Sequence, residues 1–345
     1  MERKPDRQEH PPRRATAFVP RAAGFTLVEL LVAVSLTLII LVLLLQVIGF
    51  ASSNWQRLND NAKAFEGARA AFDSITRQLS QATLATEYDY YNSNRVARLS
   101  ITNSTALTNF VPDTYGRYSS LHFISGKSLL PTNHTHALFF QMPGNFVTNS
   151  ANAAIPASGL LNALGYYIRY SDDSSDRPTN VAGAVPAPRS RYRLMQYMQP
   201  TENLDVYRDG SASSWFLDDL DKSSHVLAEN IVALVLLPKL PDEAGAAPEY
   251  LAPGYEYNSR TNWTTGSQPV QMHQLPPVVR VTMVAIDERS AMHDPATGST
   301  LKDLFKNPAD FSTNLATVET ALRNARANYK IFQTDVPLRA AKWSE

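Results

Sequence analysis

An apolar segment with a single carboxylate near its start constrains this chain more than any other feature. Residues 25–50 contain no charged side chain except Glu29, and the next charge comes only after Gln56. A helix of about 20 apolar residues spans a hydrocarbon core of about 30 Å, so this segment is long enough to cross a membrane. The chain must therefore place a helix that is apolar on every side.

The segment that precedes it is basic and rich in proline. Residues 1–24 carry six Lys and Arg side chains against three Asp and Glu, and four prolines that disfavour a stable helix. By the positive-inside bias, this leader stays in the cytoplasm and the rest of the chain crosses the membrane. The alternative is a secretory signal peptide cut after Ala51, but its apolar stretch would exceed the usual length of about 7–15 residues.

Glu29 is the unusual residue of the apolar segment. A carboxylate near the centre of a membrane costs roughly 2.5–3.5 kcal/mol on insertion scales, and less near an end of the span. Two interpretations follow from its position. Either Glu29 extends to the lipid headgroups, or it pairs with a partner inside the apolar layer.

Residues 24–30 read Gly-Phe-Thr-Leu-Val-Glu-Leu and closely resemble the processing site of type IV prepilins and type II secretion pseudopilins. The resemblance implies that a prepilin peptidase cuts after Gly24 and that Phe25 becomes the N-methylated first residue. It also implies that Glu29 pairs with the amino terminus of a neighbouring subunit during assembly. A leader of 24 residues is longer than in many members of the family.

Composition favours one large extracytoplasmic domain after the apolar segment. The 345 residues contain no cysteine, which excludes disulfides, thiolate nucleophiles and cysteine metal sites. The 22 prolines and the many Ser, Thr and Asn residues favour a β-rich domain with many turns. Without the leader the chain has 26 basic against 29 acidic residues, so we expect no specific nucleic-acid partner.

An apolar stripe predicts that the helix continues beyond the membrane. Its members recur at steps of three, four or seven residues: Leu58, Ala62, Phe65, Phe72, Ile75 and Leu79. We expect one helix from Phe25 to about Leu84 whose second half packs on a sheet, with a free coiled coil as the alternative. The predicted division is a leader (1–24), a transmembrane and assembly helix (25–50), its amphipathic continuation (51–84) and a β-rich extracytoplasmic domain (85–345).

Short apolar or aromatic runs bounded by turn residues predict eight strands in one or two antiparallel sheets. They are residues 96–101, 120–125, 136–142, 165–170, 192–198, 226–237, 278–287 and 329–336. Helical spacing returns between Ser312 and Asn328, with Ser312 as the predicted N-cap. The predicted fold class is α+β and pilin-like, with a long N-terminal helix packed on an antiparallel sheet.

The order of these segments extends the resemblance, loosely, over nearly the whole chain. Residues 69–79, 165–170, 192–194, 226–231 and 275–284 look like successive elements of minor pseudopilins of the J type. Residues 230–239 and 282–288 are similar to strings in the pseudopilin-like Verru_Chthon cassette protein C family. The resemblance implies a single-pass protein of a bacterial inner membrane. Its implied partners are the prepilin peptidase and methylase, other pilin-like subunits, the assembly platform and the lipid bilayer.

Sequence signals for catalysis or for a cofactor are weak. The chain contains no G-x-S-x-G, P-loop or G-x-G-x-x-G string, so we expect no enzymatic activity. His134 and His136 fall on one face of a predicted strand and could supply two zinc ligands, but no third is identifiable and incidental histidines are the favoured interpretation. Two acidic groups are candidate calcium ligands without the spacing of an EF-hand loop: Asp172, Asp173 and Asp176, and Asp218, Asp219 and Asp221. We expect no cofactor, with calcium as the one candidate.

Two long predicted loops, residues 172–190 and 238–277, complete the picture. Loops of this length are usually functional or disordered. The second carries Tyr250, Tyr255, Tyr257 and Trp263, which either form a contact surface for another subunit or fold back over the sheet.

Two hypotheses for the function follow. In the first, the chain is a minor structural subunit, processed at its leader and assembled into a pilus-like fibre or a pseudopilus. In the second, it is a membrane-tethered extracytoplasmic binding protein or enzyme, and the apolar segment is only an anchor.

Overall fold

The structure, a computed structural model, combines an N-terminal helical segment with antiparallel sheets, which confirms the predicted α+β class. It describes residues 26–131, 135–149, 159–172, 174, 188–208, 215–241, 251–252, 254–292, 301 and 303–343, and of residues 51–64 it describes the backbone alone. The chain divides into two compact units, Met1–Asn59 and Asp60–Glu345.

The long helix expected from Phe25 to about Leu84 is interrupted in the structure. Helix α1 is Leu27–Ala64 and helix α2 is Glu66–Leu79. Phe65 separates them with φ −104° and ψ 0°, and its side chain packs, half-buried, against the core of the second unit. A tertiary contact of this kind overrides the local preference for a continuous helix.

Eleven strands are present in the described part of the chain, and all their pairings are antiparallel. They are β1 (Glu87–Tyr91), β2 (Thr114–Tyr118), β3 (Ile124–Gly126), β4 (Ala137–Pro143), β5 (Leu161–Ser171), β6 (Arg191–Gln199), β7 (Ser224–Glu229), β8 (Ile231–Lys239), β9 (Tyr257–Asn258), β10 (Val278–Ile286) and β11 (Tyr329–Pro337). One sheet has the order β7-β6-β5-β4-β3-β9, another has the order β11-β10-β8, and β1 pairs with β2 in a separate ribbon.

Most of the predicted strands are confirmed, and the exceptions have physical causes. Five of them correspond to β4, β5, β6, β10 and β11, and residues 120–125 only overlap β3. The run 226–237 is two strands, because Asn230 between them adopts a left-handed conformation with φ 61°. The strand predicted at 96–101 is wrong: Arg98–Ser100 form a 3-10 turn, fixed where Leu99 N donates to Asp89 Oδ2 at 2.6 Å.

The two larger sheets pack together through β8, in which every residue is buried. This strand contacts β4, β5 and β6 of the six-stranded sheet while pairing with β10 of its own sheet. Aromatic side chains fill the space beside β4, where the rings of Phe139 and Phe216 stack with their centroids 3.9 Å apart. Dense packing of large rings compensates for the missing disulfides, since such rings bury about 150–250 Å² each.

Helix α2 lies on the sheets, as its apolar stripe predicts. It contacts β7 of the larger sheet and β10 and β11 of the smaller one. The face turned inward is apolar: Ala68, Ala71, Phe72, Ile75 and Leu79 are all buried. The ring centroid of Phe72 lies 5.6 Å from that of Phe332 on β11. The free coiled-coil alternative is therefore excluded for residues 66–79.

Two further helices complete the second unit near the carboxyl end, α4 (Glu288–Ala291) and α5 (Phe311–Asn324); a short α3 (Ser104–Thr108) precedes β2. Helix α5 confirms the predicted helix, but Ser312 is not its N-cap. Asp310 holds that position, because a 3-10 turn at Pro308–Asp310 leads directly into the helix and places Ser312 inside its first turn.

Candidate functional site

The beginning of α1 is closed by two residues that bond to each other's backbone. Thr26 N donates to Glu29 Oε2 at 3.0 Å, and Glu29 N donates to Thr26 Oγ1 at 3.3 Å. The Thr26 hydroxyl also donates to Glu29 Oε2 at 3.0 Å. This is a capping box, in which the first residue before a helix and the third residue within it satisfy each other's amides. Thr26 and Glu29 therefore fix where the helix starts.

The carboxylate of Glu29 keeps one oxygen for another donor. Among the described residues, its hydrogen bonds come only from Thr26, and all of them reach Oε2. Oε1 is an open acceptor, and an ionised carboxylate offers about four lone-pair sites in all. The site can thus cap its own helix and accept a bond from a cationic group at the same time.

The rest of the apolar segment presents its side chains outward. Leu27–Phe50 is a continuous stretch of 24 residues that is long and apolar enough to span a membrane, and none of it is buried within the protein. At about 1.5 Å per residue it measures about 36 Å. Ser35 Oγ donates to Val32 O at 2.8 Å, and the Thr37 hydroxyl donates to Ala33 O, so these polar groups are satisfied within the helix.

Of the three predicted site residues, the structure describes one. Glu29 lies in the first turn of α1, at the position from which it can cap the helix. Gly24 and Phe25, together with the rest of the leader, lie outside the described residues. The role of Thr26 is missing from the sequence-based account, although Thr26 and Glu29 have the S/T-x-x-E spacing that marks a capping box.

The histidine pair considered as a zinc site is not one. His134 lies outside the described residues, and His136 is fully buried between backbone groups. Leu236 N donates to His136 Nδ1 at 3.0 Å, so the proton is on Nε2, which lies 3.3 Å from Phe305 O. Burial lowers the pKa of His136 to about 4. His136 is thus a neutral structural link between β8 and the segment before α5.

The acidic groups considered for calcium are engaged in other contacts where they are described. Asp219 Oδ1 lies 3.1 Å from Lys222 Nζ, and Asp221 Oδ1 lies 2.6 Å from Arg169 Nη1. Asp172 accepts a bond from the Ser174 hydroxyl at 2.5 Å, whereas residues 173 and 176 lie outside the described part. Within the described ranges no three His, Asp or Glu side chains come together as metal ligands.

The aromatic residues of the second long loop fold back onto the domain. Tyr255, Tyr257 and Trp263 are all buried, while residue 250 lies outside the described residues. Tyr257 OH donates to Gln274 O at 2.8 Å. The ring of Trp263 lies edge-on to that of Tyr91, with centroids 5.1 Å apart. For these three residues the alternative of an exposed contact surface is wrong.

Comparison with known proteins converges on the same N-terminal segment. Residues 20–45 match the family model described as the prokaryotic N-terminal methylation motif. Comparison with curated proteins and with solved structures gives no match. The motif and the single apolar helix fit a single-pass inner-membrane anchor. The chain is thus similar to pilins and pseudopilins in general, and its motif is that of proteins processed by a prepilin peptidase.

Proposed function

We propose that this protein is a minor structural subunit of a type IV pilus-like fibre or a type II secretion pseudopilus. One observation carries the proposal: a methylation motif at residues 20–45 coincides with a helix whose apolar side chains are uncovered along Leu27–Phe50. Such a helix is stable in lipid, and it can exchange lipid for the helices of neighbouring subunits without exposing apolar surface to water.

Glu29 supplies the register of that exchange. Cleavage after Gly24 creates an ammonium group on Phe25, and Oε1 of a neighbour's Glu29 is an acceptor of the right charge. Neither charge is stable alone in an apolar layer, and removing one member of a buried pair typically costs about 3–5 kcal/mol. Pairing therefore favours the one axial offset at which the two groups meet.

The second unit favours a minor over a major subunit. It comprises Asp60–Glu345, a large mass to repeat along a thin fibre, and we place it at or near the tip. The finer kinship that we propose is with the J type of minor pseudopilins and with Verru_Chthon cassette protein C. We propose no enzymatic activity and no required cofactor.

The proposed topology follows from the charges of the leader. Residues 1–24 stay in the cytoplasm, the apolar helix crosses the inner membrane once, and the β-rich domain lies in the periplasm or in the fibre. The proposed partners are the prepilin peptidase and methylase, other pilin-like subunits and the inner-membrane assembly platform.

Mass spectrometry of the mature amino terminus tests the proposal. We expect the chain to begin at Phe25 with a methylated amine, and a Gly24→Val variant to keep its full leader. A Gly49→Val variant is the matched control, because Gly49 lies in the helix with nothing within 4 Å of an added Cβ. A wild-type chain that begins at Met1 or at Ser52 would leave the membrane-tethered binding protein as the better account.

A further inference from the structure

A cavity of about 430 Å³ opens where the two larger sheets meet. Tyr170 and Tyr192 form one side as neighbours across β5 and β6, and Glu288, the first residue of α4, lies on another. Pockets for small ligands usually have volumes of about 300–1,000 Å³. The cavity lies within the second unit and takes no part in the proposed assembly through α1.

The cavity contains a fixed polar wall in which opposite charges cancel. Arg191 binds Glu288 through both ends of its guanidinium, Nη2 to Oε1 at 2.7 Å and Nη1 to Oε2 at 2.9 Å. Its Nη1 also lies 2.8 Å from Glu229 Oε2, and Arg193 Nε lies 3.5 Å from Glu229 Oε1. Two arginines thus neutralise two carboxylates. A neutral wall of this kind gives little attraction to a ligand with a net charge.

Asn230 is held in this wall by both sheets. Its backbone N donates to Tyr192 O at 2.7 Å, and its backbone O accepts from Ile286 N at 3.0 Å. Its side-chain Nδ2 donates to Glu288 Oε2 at 2.9 Å, whereas its Oδ1 has no hydrogen-bond partner among the described residues. A missing donor at a polar group that lines a cavity indicates that a hydroxyl or amide belongs there.

An aromatic ring faces the opening. Tyr170 is 47% exposed, although Tyr192 beside it is buried, and the two ring centroids lie 4.7 Å apart at an interplanar angle of 45°. Tyr170 is therefore supported from one side and open on the other. Ile286, Ala291 and Met292 add a small apolar surface to the same cavity.

We propose that this cavity binds a neutral sugar unit, such as a hexose at the end of a glycan. A pyranose ring offers C–H faces for the open ring of Tyr170, and hydroxyls that both donate and accept for Asn230 and for the Arg191–Glu288 pair. A lipid tail would leave the polar wall without partners, and an anion would meet Glu288 and Glu229 as well as Arg191. The mixture of one aromatic face and fixed planar polar groups suits a sugar best.

Saturation-transfer NMR on the full-length protein tests this proposal, in a detergent without a sugar headgroup. The probes are methyl glucoside, methyl galactoside and N-acetylglucosamine, with glycine and acetate as charged comparisons. We expect saturable binding of at least one sugar. Tyr170→Ala should weaken it at least tenfold, roughly the loss of an aromatic contact worth 1.4 kcal/mol. Tyr170→Phe, which keeps the ring, should stay within about threefold of wild type.

Tyr88→Ala is the matched control, since Tyr88 is a 57% exposed tyrosine on β1 that does not line the cavity. It should bind the sugars like wild type, and circular dichroism should show all variants folded. No sugar binding up to about 10 mM, preferential binding of glycine or acetate, or equal losses in Tyr170→Ala and Tyr88→Ala would each overturn the proposal.

Discussion

The backbone of Gly165 on β5 lies directly against the ring of Phe139 on β4. A Cβ at residue 165 would come within 2.2 Å of Phe139 Cδ1 and 3.1 Å of Leu138 O. Real Cβ atoms do not approach so closely, and Phe139 cannot yield easily, because its other face is stacked on Phe216 at 3.9 Å. The central pair of the larger sheet thus depends on a residue without a side chain.

Gly165→Ala should therefore lower the free energy of unfolding of the second unit by about 1–3 kcal/mol, the usual cost of overpacking. Gly67→Ala is the control: nothing lies within 4 Å of its added Cβ, and alanine favours helix α2, so stability should hold or rise. Thermal unfolding followed by circular dichroism compares them. Equal melting temperatures for the two variants would show that β4 and β5 tolerate the extra methyl group.

Replacing Glu29 by Gln separates its two roles. The amide oxygen of Gln can still cap the Thr26 amide, but the charge that would pair with an ammonium group is gone. We expect normal cleavage and methylation of Glu29→Gln, and at least a tenfold fall in the amount recovered with sheared fibres. Thr26→Val is the complementary variant, since it weakens the cap by about 1 kcal/mol and keeps the carboxylate.

Thr26→Val should assemble nearly as wild type if charge pairing dominates. If Glu29→Gln assembles normally while Thr26→Val does not, helix capping and not charge pairing is the function of Glu29.

Asp335 should make stability depend on acid pH. Its Oδ1 lies 2.7 Å from Arg280 Nε, and its Oδ2 lies 2.9 Å from the buried Lys239 Nζ. The hydrogen bond from Arg280, followed by that from Lys239, lowers the pKa of Asp335 to about 2. The folded state thus holds the carboxylate more strongly than the unfolded chain does, so its stabilising contribution is complete above about pH 4 and is lost as the pH falls toward 2.

Asp335→Asn should accordingly melt at a lower temperature than wild type at pH 5–7, and the gap should narrow below about pH 4. Differential scanning calorimetry across this range measures the gap. Asp303→Asn, which removes a surface pair with Lys306, is expected to change little at any pH. A gap for Asp335→Asn that is constant down to pH 2 would refute the electrostatic explanation.

Buried histidines should cause a second loss of stability at milder acidity. Burial lowers the pKa of His136 to about 4, and that of His122, which accepts a bond from Trp215 Nε1 at 3.0 Å, to about 3. The unfolded chain takes up these protons near pH 6.5 while the folded protein does not, so stability is full above pH 6.5 and falls below it. For His136 alone the loss by pH 4 is on the order of 3 kcal/mol.

His136→Gln should reduce the slope of melting temperature against pH between 6.5 and 4, even though the variant is less stable overall. His225→Gln is the control because that histidine is exposed. An unchanged slope in His136→Gln would mean that His136 is not the group that titrates.

The sequence predicts the fold best where one face is buried throughout. The runs that became β4, β5, β6, β10 and β11 are apolar or aromatic because they lie in the sheets against the core, and helix α2 shows the same rule at helical spacing. Strand β1 escapes this logic: Tyr88 and Tyr90 are exposed and Asp89 is buried, since it bonds to Leu99 N at 2.6 Å. Its pairing with β2 depends on contacts that are distant in sequence.

The candidate site shows the same limit on prediction. The motif around Glu29 is local, so the sequence alone identifies it, and the capping box is equally local although it requires attention to Thr26. The cavity beside Tyr170 is different, because its walls come from β5, β6, α4 and the residue between β7 and β8. No pattern along the chain brings these segments together before the sheets form.

The capping box lies wholly on the carboxyl side of the Gly24–Phe25 bond. The Thr26 amide belongs to the peptide bond with Phe25, so removal of residues 1–24 would leave all three of its hydrogen bonds with Glu29 intact. Proteolysis then changes the electrostatic potential and not the conformation: a leader with three surplus positive charges is replaced by one ammonium group next to the cap. The precursor already has the helix start of the mature subunit, so the cut acts as a charge switch on a preformed end.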